Sequence, residues 1–213
     1  MDKKKKFEEL KKYYLENPID EKFSEIVKDE LGIDLKAKYG NFTLNHPVIV
    51  APGQLTREKG QIERIKKAGY SGCVLKSVVG EDENGNCSMK EYRKKMTYLK
   101  TVYEKDDKEG AYPVILWDGR ADTRNLTEYM EFARDVYNFS DSKFLIVASI
   151  LCHLPKPEEE IKKEEWLYTV RKLYDTGYRI FEIDFCPGLK NNKKIIEKEN
   201  ICRLYREIPE LLK

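Results

Sequence analysis

The sequence predicts an α/β fold with parallel strands: a (β/α) barrel of TIM type, represented by its first four β/α units and preceded by N-terminal helices and a β-hairpin. Three observations predict it. Four short runs, 47–50, 73–75, 144–148 and 180–185, are apolar along their length, as strands buried on both faces are. Helix-length amphipathic segments separate them, and a repeated strand–helix unit favours a parallel sheet with right-handed crossovers. Each run stops at a polar or special residue: Ala51-Pro52-Gly53, Lys76-Ser77, Ser149, and Cys186-Pro187-Gly188. Parallel α/β enzymes keep their reactive groups at such strand ends.

The elements follow in order. Residues 3–16 and 20–31 read as two amphipathic helices split by Asn17-Pro18, with Asp20 as N-cap of the second and Gly32 as its stop. Residues 35–39 and 42–44 flank Gly40-Asn41, a hairpin turn that would close the bottom of a barrel. Pro47 suits the start of the first core strand, because it has no N–H to give a ladder. Thr56 is the expected cap of a helix that buries Ile62 and Ile65 and ends at Gly69, ahead of a second strand at 72–75. Residues 80–108 lack a clean period; 81–86 form a polar loop and 89–103 are expected to be partly helical. Residues 113–117 are extended. A helix over 127–137, capped by Thr127, leads to the strand 144–150, a long helix over 158–176, the strand 180–185, and a helix over 192–204, with Pro209 opening the tail. Residues 1–34 form the helical extension and 35–213 the half-barrel; a full (β/α)8 barrel takes about 250 residues.

Composition narrows the function classes. At 213 residues and 40% hydrophobic, with fourteen tyrosines, the chain has the means for one sizeable core. Forty basic residues against 38 acidic ones leave a net charge of +2, which gives no reason to invoke nucleic acid. The lysines at 3–6 read as a solvated helix start. No run approaches the roughly 18 apolar residues of a membrane span, and the N-terminus has no apolar signal core. Five cysteines without a CxxC pair argue against a disulfide framework and for a reducing, cytoplasmic setting. Two histidines without partners at ligand spacing argue against zinc.

Several groups point to chemistry, each beside a plainer reading. Ala51-Pro52-Gly53 offers small residues against which a flat ligand can lie; a strand-to-helix turn needs the same residues. Lys76, directly after an apolar strand, calls for an anionic or hydrogen-bonding partner, or else snorkels to water. Cys186 is a base or nucleophile if its thiolate is stabilised, and otherwise an inert buried thiol. Cys73 is core. Glu182 and Asp184 share one strand face and ask for a ligand or a buried cation such as Lys76; a glycosidase pair would normally use two strands. His153 reads as a loop histidine before a base. Trp117 either stacks on a ring or is core, with Asp118-Gly119 a turn.

Taken together, the chain from about residue 35 onward resembles the dihydroorotate dehydrogenase family, FMN-dependent (β/α)8 barrels. Residues 35–44 resemble the family's leading hairpin, and Asn45-His46-Pro47-Val48-Ile49-Val50-Ala51-Pro52-Gly53 its first strand, which lies against the flavin. Leu55-Thr56 and the following helix fit the same pattern. Val74-Leu75-Lys76-Ser77 resembles the second-strand motif, whose lysine contacts flavin and substrate. The strand 144–150 resembles the third, ending in Ser-Ile at Ser149, and Phe181-Glu182-Ile183-Asp184-Phe185-Cys186-Pro187 the fourth. The chain departs from the family at Asp184, where asparagine is usual, in the missing serine before Cys186, and at Gly188. It departs again at Leu116-Trp117-Asp118-Gly119, where the family has Asn-Ser-Met-Gly.

The resemblance implies an oxidoreductase of pyrimidine-metabolism type that moves hydride between a small, pyrimidine-like substrate and FMN. Cys186 would be the base and Lys76 the second catalytic residue. Ala51, Pro52, Gly53, Lys76, Ser77, Ser149 and Asp184 would contact the cofactor. No metal is implied. The family's fifth-strand lysine and phosphate-binding loops have no counterpart among the 213 residues, so a complementing half-barrel chain or self-association is expected. Two rival readings stand beside this one: a non-catalytic half-barrel scaffold or interaction subunit, and a Schiff-base aldolase using Lys76.

Overall fold

Local chemistry sets the N-terminal elements. The computed structural model describes residues 2–20, 22–93, 100–106, 110–116, 121–185 and 197–213. Helix α1 (Lys3–Glu16) starts where the Asp2 carboxylate accepts the Lys4 N–H at 3.0 Å. Helix α2 (Phe23–Leu31) ends at Gly32, as expected, whose φ of 73° is left-handed. Asp20 does not cap α2. Its carboxylate accepts the Lys22 N–H at 2.9 Å and its carbonyl the Phe23 N–H at 3.2 Å, so it closes the turn that leads in. Strands β1 (Ala37–Tyr39) and β2 (Phe42–Leu44) form the expected antiparallel hairpin. Gly40 sits at its turn with φ 57°, a conformation that costs a residue without Cβ nothing.

The first apolar run is less of a strand than its composition promises. Val50 makes a single parallel bridge to Cys73, and Val48 is half exposed. Helix α3 (Lys59–Lys67) starts later than Thr56. Its N-cap is Glu58, and the Gln61 side chain reaches back to accept the Arg57 and Glu58 N–H groups at 2.9 and 3.1 Å. Ile62 and Ile65 are buried, as the pattern required.

Strands β3 (Gly72–Val74) and β4 (Val78–Val79) follow, then a single 3-10 turn over Lys90–Tyr92. Strands β5 (Lys100–Asp106) and β6 (Gly110–Leu116) pair antiparallel, Val102 opposite Val114 and Tyr103 opposite Pro113. The helix expected to reach residue 103 gives way here because Thr101-Val102-Tyr103 are strand formers with a partner strand to pair with. Helix α4 (Leu126–Tyr137) is capped by Asn125 rather than Thr127: Asn125 Oδ1 accepts the Glu128 N–H at 2.8 Å, and Glu128 Oε2 accepts the Asn125 N–H at 3.1 Å.

Strand β7 (Leu145–Leu151) is buried throughout. Helix α5 (Lys163–Asp175) begins later than the expected residue 158, since the Pro157 and Glu159 carbonyls are taken by the Arg203 guanidinium at 2.7 and 3.1 Å. Strand β8 (Phe181–Ile183) pairs with β7. Helix α6 (Lys198–Leu211) runs through Pro209 instead of stopping before it; of the helix expected over 192–204, residues 192–196 lie outside the described residues.

The protein is thus mixed α/β, with helices and a sheet of parallel strands. It divides into two compact units. The first comprises Met1–Lys76, Met130–Ser149 and Lys172–Glu182. Its core gathers Leu44, Val74, Leu145 and Val147, with the hairpin residues Ala37, Tyr39 and Phe42 packed against them. The Tyr178 hydroxyl, fully inside, donates to the Ala133 carbonyl at 2.8 Å. The second comprises Ser77–Tyr129, Ile150–Arg171 and Ile183–Lys213. Its core includes Val79, Tyr92, Ala121 and Leu151, and α6 is tied down by Arg203 and by the Asn200 amide, which donates to the Pro155 carbonyl at 3.0 Å. Among the described residues no helix is long and apolar enough to cross a membrane.

Candidate functional site

Lys76 and Ser77 lie between strands β3 and β4. Strand β3 matches β7 residue for residue, from Gly72 opposite Leu145 to Val74 opposite Val147; pairing resumes with Val78 opposite Ile150. Strand β3 ends at Val74, just before Lys76-Ser77 as the second apolar run suggested, and Val78-Val79 form a separate short strand. Lys76 is 3% exposed and Ser77 1%. Ser149 is likewise interior to its strand and fully buried, because Ile150-Leu151 extend β7 beyond it.

In the first unit, Thr56 links two of the expected site segments. Its buried hydroxyl accepts the Gly53 N–H at 3.0 Å, which folds Ala51-Pro52-Gly53 into a turn. Its carbonyl accepts the Lys76 N–H at 3.1 Å. Ala51 is exposed, and a Cβ on Gly53 would meet only the Ala51 carbonyl oxygen, at 3.8 Å, so the outer side of the turn is open. Glu182 lies beside Tyr39: burial first, then the Glu182 charge and hydrogen bond, hold the Tyr39 hydroxyl above its ordinary pKa. One of the two strand-face acids thus has a phenol as its partner.

The other acid, Asp184, belongs to the second unit. Its N–H donates to the Ile150 carbonyl at 2.8 Å, whereas the Leu151 carbonyl accepts the Gly80 N–H at 2.9 Å. Carbonyls of successive strand residues face opposite edges, so Ser77 and Asp184 flank the end of β7. Their side chains reach each other: Ser77 Oγ donates to Asp184 Oδ2 at 3.1 Å. The Ser77 carbonyl accepts the N–H of Asp122 at 2.7 Å. Asp122 is fully buried, and its carboxylate takes the Arg124 N–H at 3.0 Å and Arg124 Nη1 at 2.9 Å.

His153 lies two residues beyond β7, with Nε2 3.6 Å from Glu159 Oε2. Burial, aided by Lys162, pushes its imidazole pKa down, and Glu159 and Glu165 oppose this. Cys186, Trp117, Asp118, Gly119, Pro187 and Gly188 lie outside the described residues. Among the described residues no group of three or more His, Cys, Asp or Glu side chains is placed to hold a metal ion. A groove of about 750 Å³ in the second unit, lined by Glu159, Lys163, Arg203, Glu207 and Glu210 among others, contains none of the expected site residues.

Sequence reasoning missed three carboxylates of the second unit, the buried Asp122 and Glu165 and the half-buried Glu81. Glu81 Oε1 accepts the Leu126 N–H at the start of α4, at 3.1 Å, and pairs with the Arg93 guanidinium. Glu165, 4% exposed, accepts the Ser88 N–H at 2.8 Å and its hydroxyl at 2.5 Å. The signal available for Glu81 was its place right after Val78-Val79-Gly80; Glu165 looked like one more surface acid on a charged helix.

No family model matches the chain, and comparison with curated proteins returns no match.

Proposed function

We propose that the protein is an FMN-dependent oxidoreductase of the dihydroorotate dehydrogenase type, built on β/α units of a TIM-type barrel and acting on a CH–CH bond of a small ring substrate. The observation that carries this reading is Lys76, 3% exposed and two residues beyond the end of the buried parallel strand β3. A lysine at the end of a parallel strand is placed as the resembled second-strand motif places the one that contacts flavin and substrate. The residues present fit the cofactor in one further respect: the open turn Ala51-Pro52-Gly53 gives a flat ring backbone to lie on. FMN, when bound, supplies the acceptor for hydride. The chain's own part would be to hold the ring at Ala51, Pro52 and Gly53, to place Lys76 and Ser77 at its edge, and to take the substrate proton at Cys186 Sγ. A thiol with an unperturbed pKa of about 8.5 makes an alkaline optimum the corollary.

Titration with FMN, read by quenching of flavin fluorescence, tests the proposal. The unsubstituted protein should bind saturably, and Lys76→Ala, checked for folding by circular dichroism, should weaken binding about tenfold or more. Fluorescence indifferent to the protein, or equal binding by the variant, sinks the reading. Burial of Lys76 favours one second reading, a Schiff base with a carbonyl substrate. Borohydride trapping with a panel of aldehydes and ketones would leave a mass increment on Lys76 in that case and none under the flavin reading.

A further inference from the structure

A cavity of about 420 Å³ opens within the first unit where strand β7 begins, and none of the expected site residues lines it. Its apolar lining comes from Phe42, Ile180 and the buried Leu145 and Ile146, and is continuous with the core of that unit. Two glycines let its walls close. A β-carbon on Gly40 would stand 3.2 Å from Ile180 Cδ1, and one on Gly177 would stand 2.5 Å from Tyr137 Cε1. The hairpin turn and the Tyr137 ring therefore pack directly on the segment 177–180. Arg179 brings a positive charge to the lining. Its Nη1 donates to the Tyr174 and Tyr178 carbonyls at 2.7 and 2.9 Å, and its guanidinium lies 3.7 Å from the centre of the Tyr174 ring. Those contacts hold a planar fork in place, and the N–H groups on Nε and Nη2 remain for a ligand. Asp141, the acid in the lining, is already matched: Lys66 pairs with it at 2.6 Å, and its other oxygen accepts the Lys143 and Phe144 N–H groups at 2.8 and 2.9 Å. The cavity is thus apolar inside, with one cation that no carboxylate of its own lining offsets.

We propose that this cavity binds a small aromatic monocarboxylate, its ring against Phe42, Leu145 and Ile180 and its carboxylate on Arg179. Apolar walls with a single charged group to fix orientation are what small-ligand pockets offer, and the volume is in their range. A guanidinium takes a carboxylate as a planar, charge-assisted pair. A neutral ligand of the same shape gains the ring contacts alone, and a cationic one meets a like charge.

Phenylacetate, 2-phenylacetamide and phenethylamine share a ring and differ in charge, so they serve as the probes. Titration of the full chain with each is followed by the methyl resonances of Leu145, Ile146 and Ile180 in heteronuclear NMR. Phenylacetate should shift these resonances saturably, the amide should bind about tenfold or more weakly, and the amine should leave them unmoved at the same concentration. Arg179→Gln, checked for folding by circular dichroism, should bring phenylacetate down to the level of the amide. Asn41→Asp guards against a folding artefact, because aspartate suits a turn as asparagine does, and the charge it adds beside the cavity should weaken phenylacetate and not the amide. No saturable shift with phenylacetate, equal binding of acid and amide, a shift confined to resonances outside the cavity, or unchanged phenylacetate binding in either variant would each overturn the proposal.

Discussion

The α-carbon of Gly80 lies hard against Cys152: a β-carbon added to Gly80 would stand 2.2 Å from Cys152 Sγ and 3.3 Å from Thr169 Oγ1. The contact sits where β4 ends, and Gly80 is held there by its N–H bond to the Leu151 carbonyl. Cys152 is fully buried and has no open side to move into. Gly80→Ala should therefore destabilise the protein by about 1–3 kcal/mol, as overpacking does. Urea unfolding measures it. In the Cys152→Ala background the sulfur is gone, so the same substitution should cost clearly less; strict additivity of the two would place the strain elsewhere.

Thiol chemistry should separate by burial. Burial pushes the Cys73 thiol up to about 12 and the Cys152 thiol well above its ordinary value, with the Glu165 charge adding to the latter. Cys202 is exposed. Iodoacetamide at mildly alkaline pH should label Cys202 in the native protein, while Cys73 and Cys152 react only after denaturant is added. Peptide mapping by mass spectrometry reads the result; native labelling of Cys73 would contradict its place in the sheet.

Much of the fold was legible because periodicity and caps are local. The hairpin at Gly40-Asn41, the buried pair Ile62 and Ile65, the stop at Gly32 and the strand through Val147 all follow from patterns a few residues long. Two things were not. Strand β5 was mistaken for part of a helix, since its preference is decided by a partner strand and not by its own period. The pairing of β3 and of β4 with β7 joins segments some seventy residues apart in sequence, and no single run displays it. For the site, the sequence singled out Lys76, Ser77 and Asp184, but it could not divide the work of the two strand-face acids. Glu182 is met by Tyr39 and Asp184 by Ser77, and these are pairings in space. Glu81 was passed over because a carboxylate after a strand looks the same whether it faces water or a helix N-terminus.

The ion pair of Lys66 with Asp141, 2.6 Å long, should appear in the acid limb of the stability curve. Burial pushes the Asp141 carboxyl up, but the Lys66 ammonium and the backbone N–H groups of Lys143 and Phe144 outweigh it and hold the pKa below its ordinary value. A carboxyl whose pKa is lower folded than unfolded binds fewer protons in the native state. Its contribution is complete above the unfolded pKa and disappears as pH falls through the folded one. Both side chains are more than a third exposed, so solvent screening keeps the effect below about 1 kcal/mol. Lys66→Met should flatten the acid slope of unfolding free energy against pH and leave the plateau near neutrality only slightly lower. An unchanged acid slope would show that the pair does not set it.

Glu81 and Arg93 form a pair of another kind, with side chains only 12% and 13% exposed. Glu81 serves two donors at once, the Arg93 guanidinium and the Leu126 N–H, where a negative charge also favours the helix dipole. Arg93 Nη2 additionally donates to the Val79 carbonyl at 3.2 Å, and its Nε is buried without a hydrogen-bond partner among the described residues. Removing the Glu81 charge would therefore strand a guanidinium that has little water to turn to. Glu81→Gln keeps an oxygen for Leu126 and loses the charge, and it should cost about 3 kcal/mol, as breaking a buried pair does. Arg93→Met leaves Glu81 its helix N-terminus and should cost less. The double variant should be more stable than the sum of the two losses predicts, because the second substitution removes the charge that the first left unpaired. Denaturant unfolding of the four proteins closes the cycle, and a coupling near zero would mean that Glu81 acts on α4 alone.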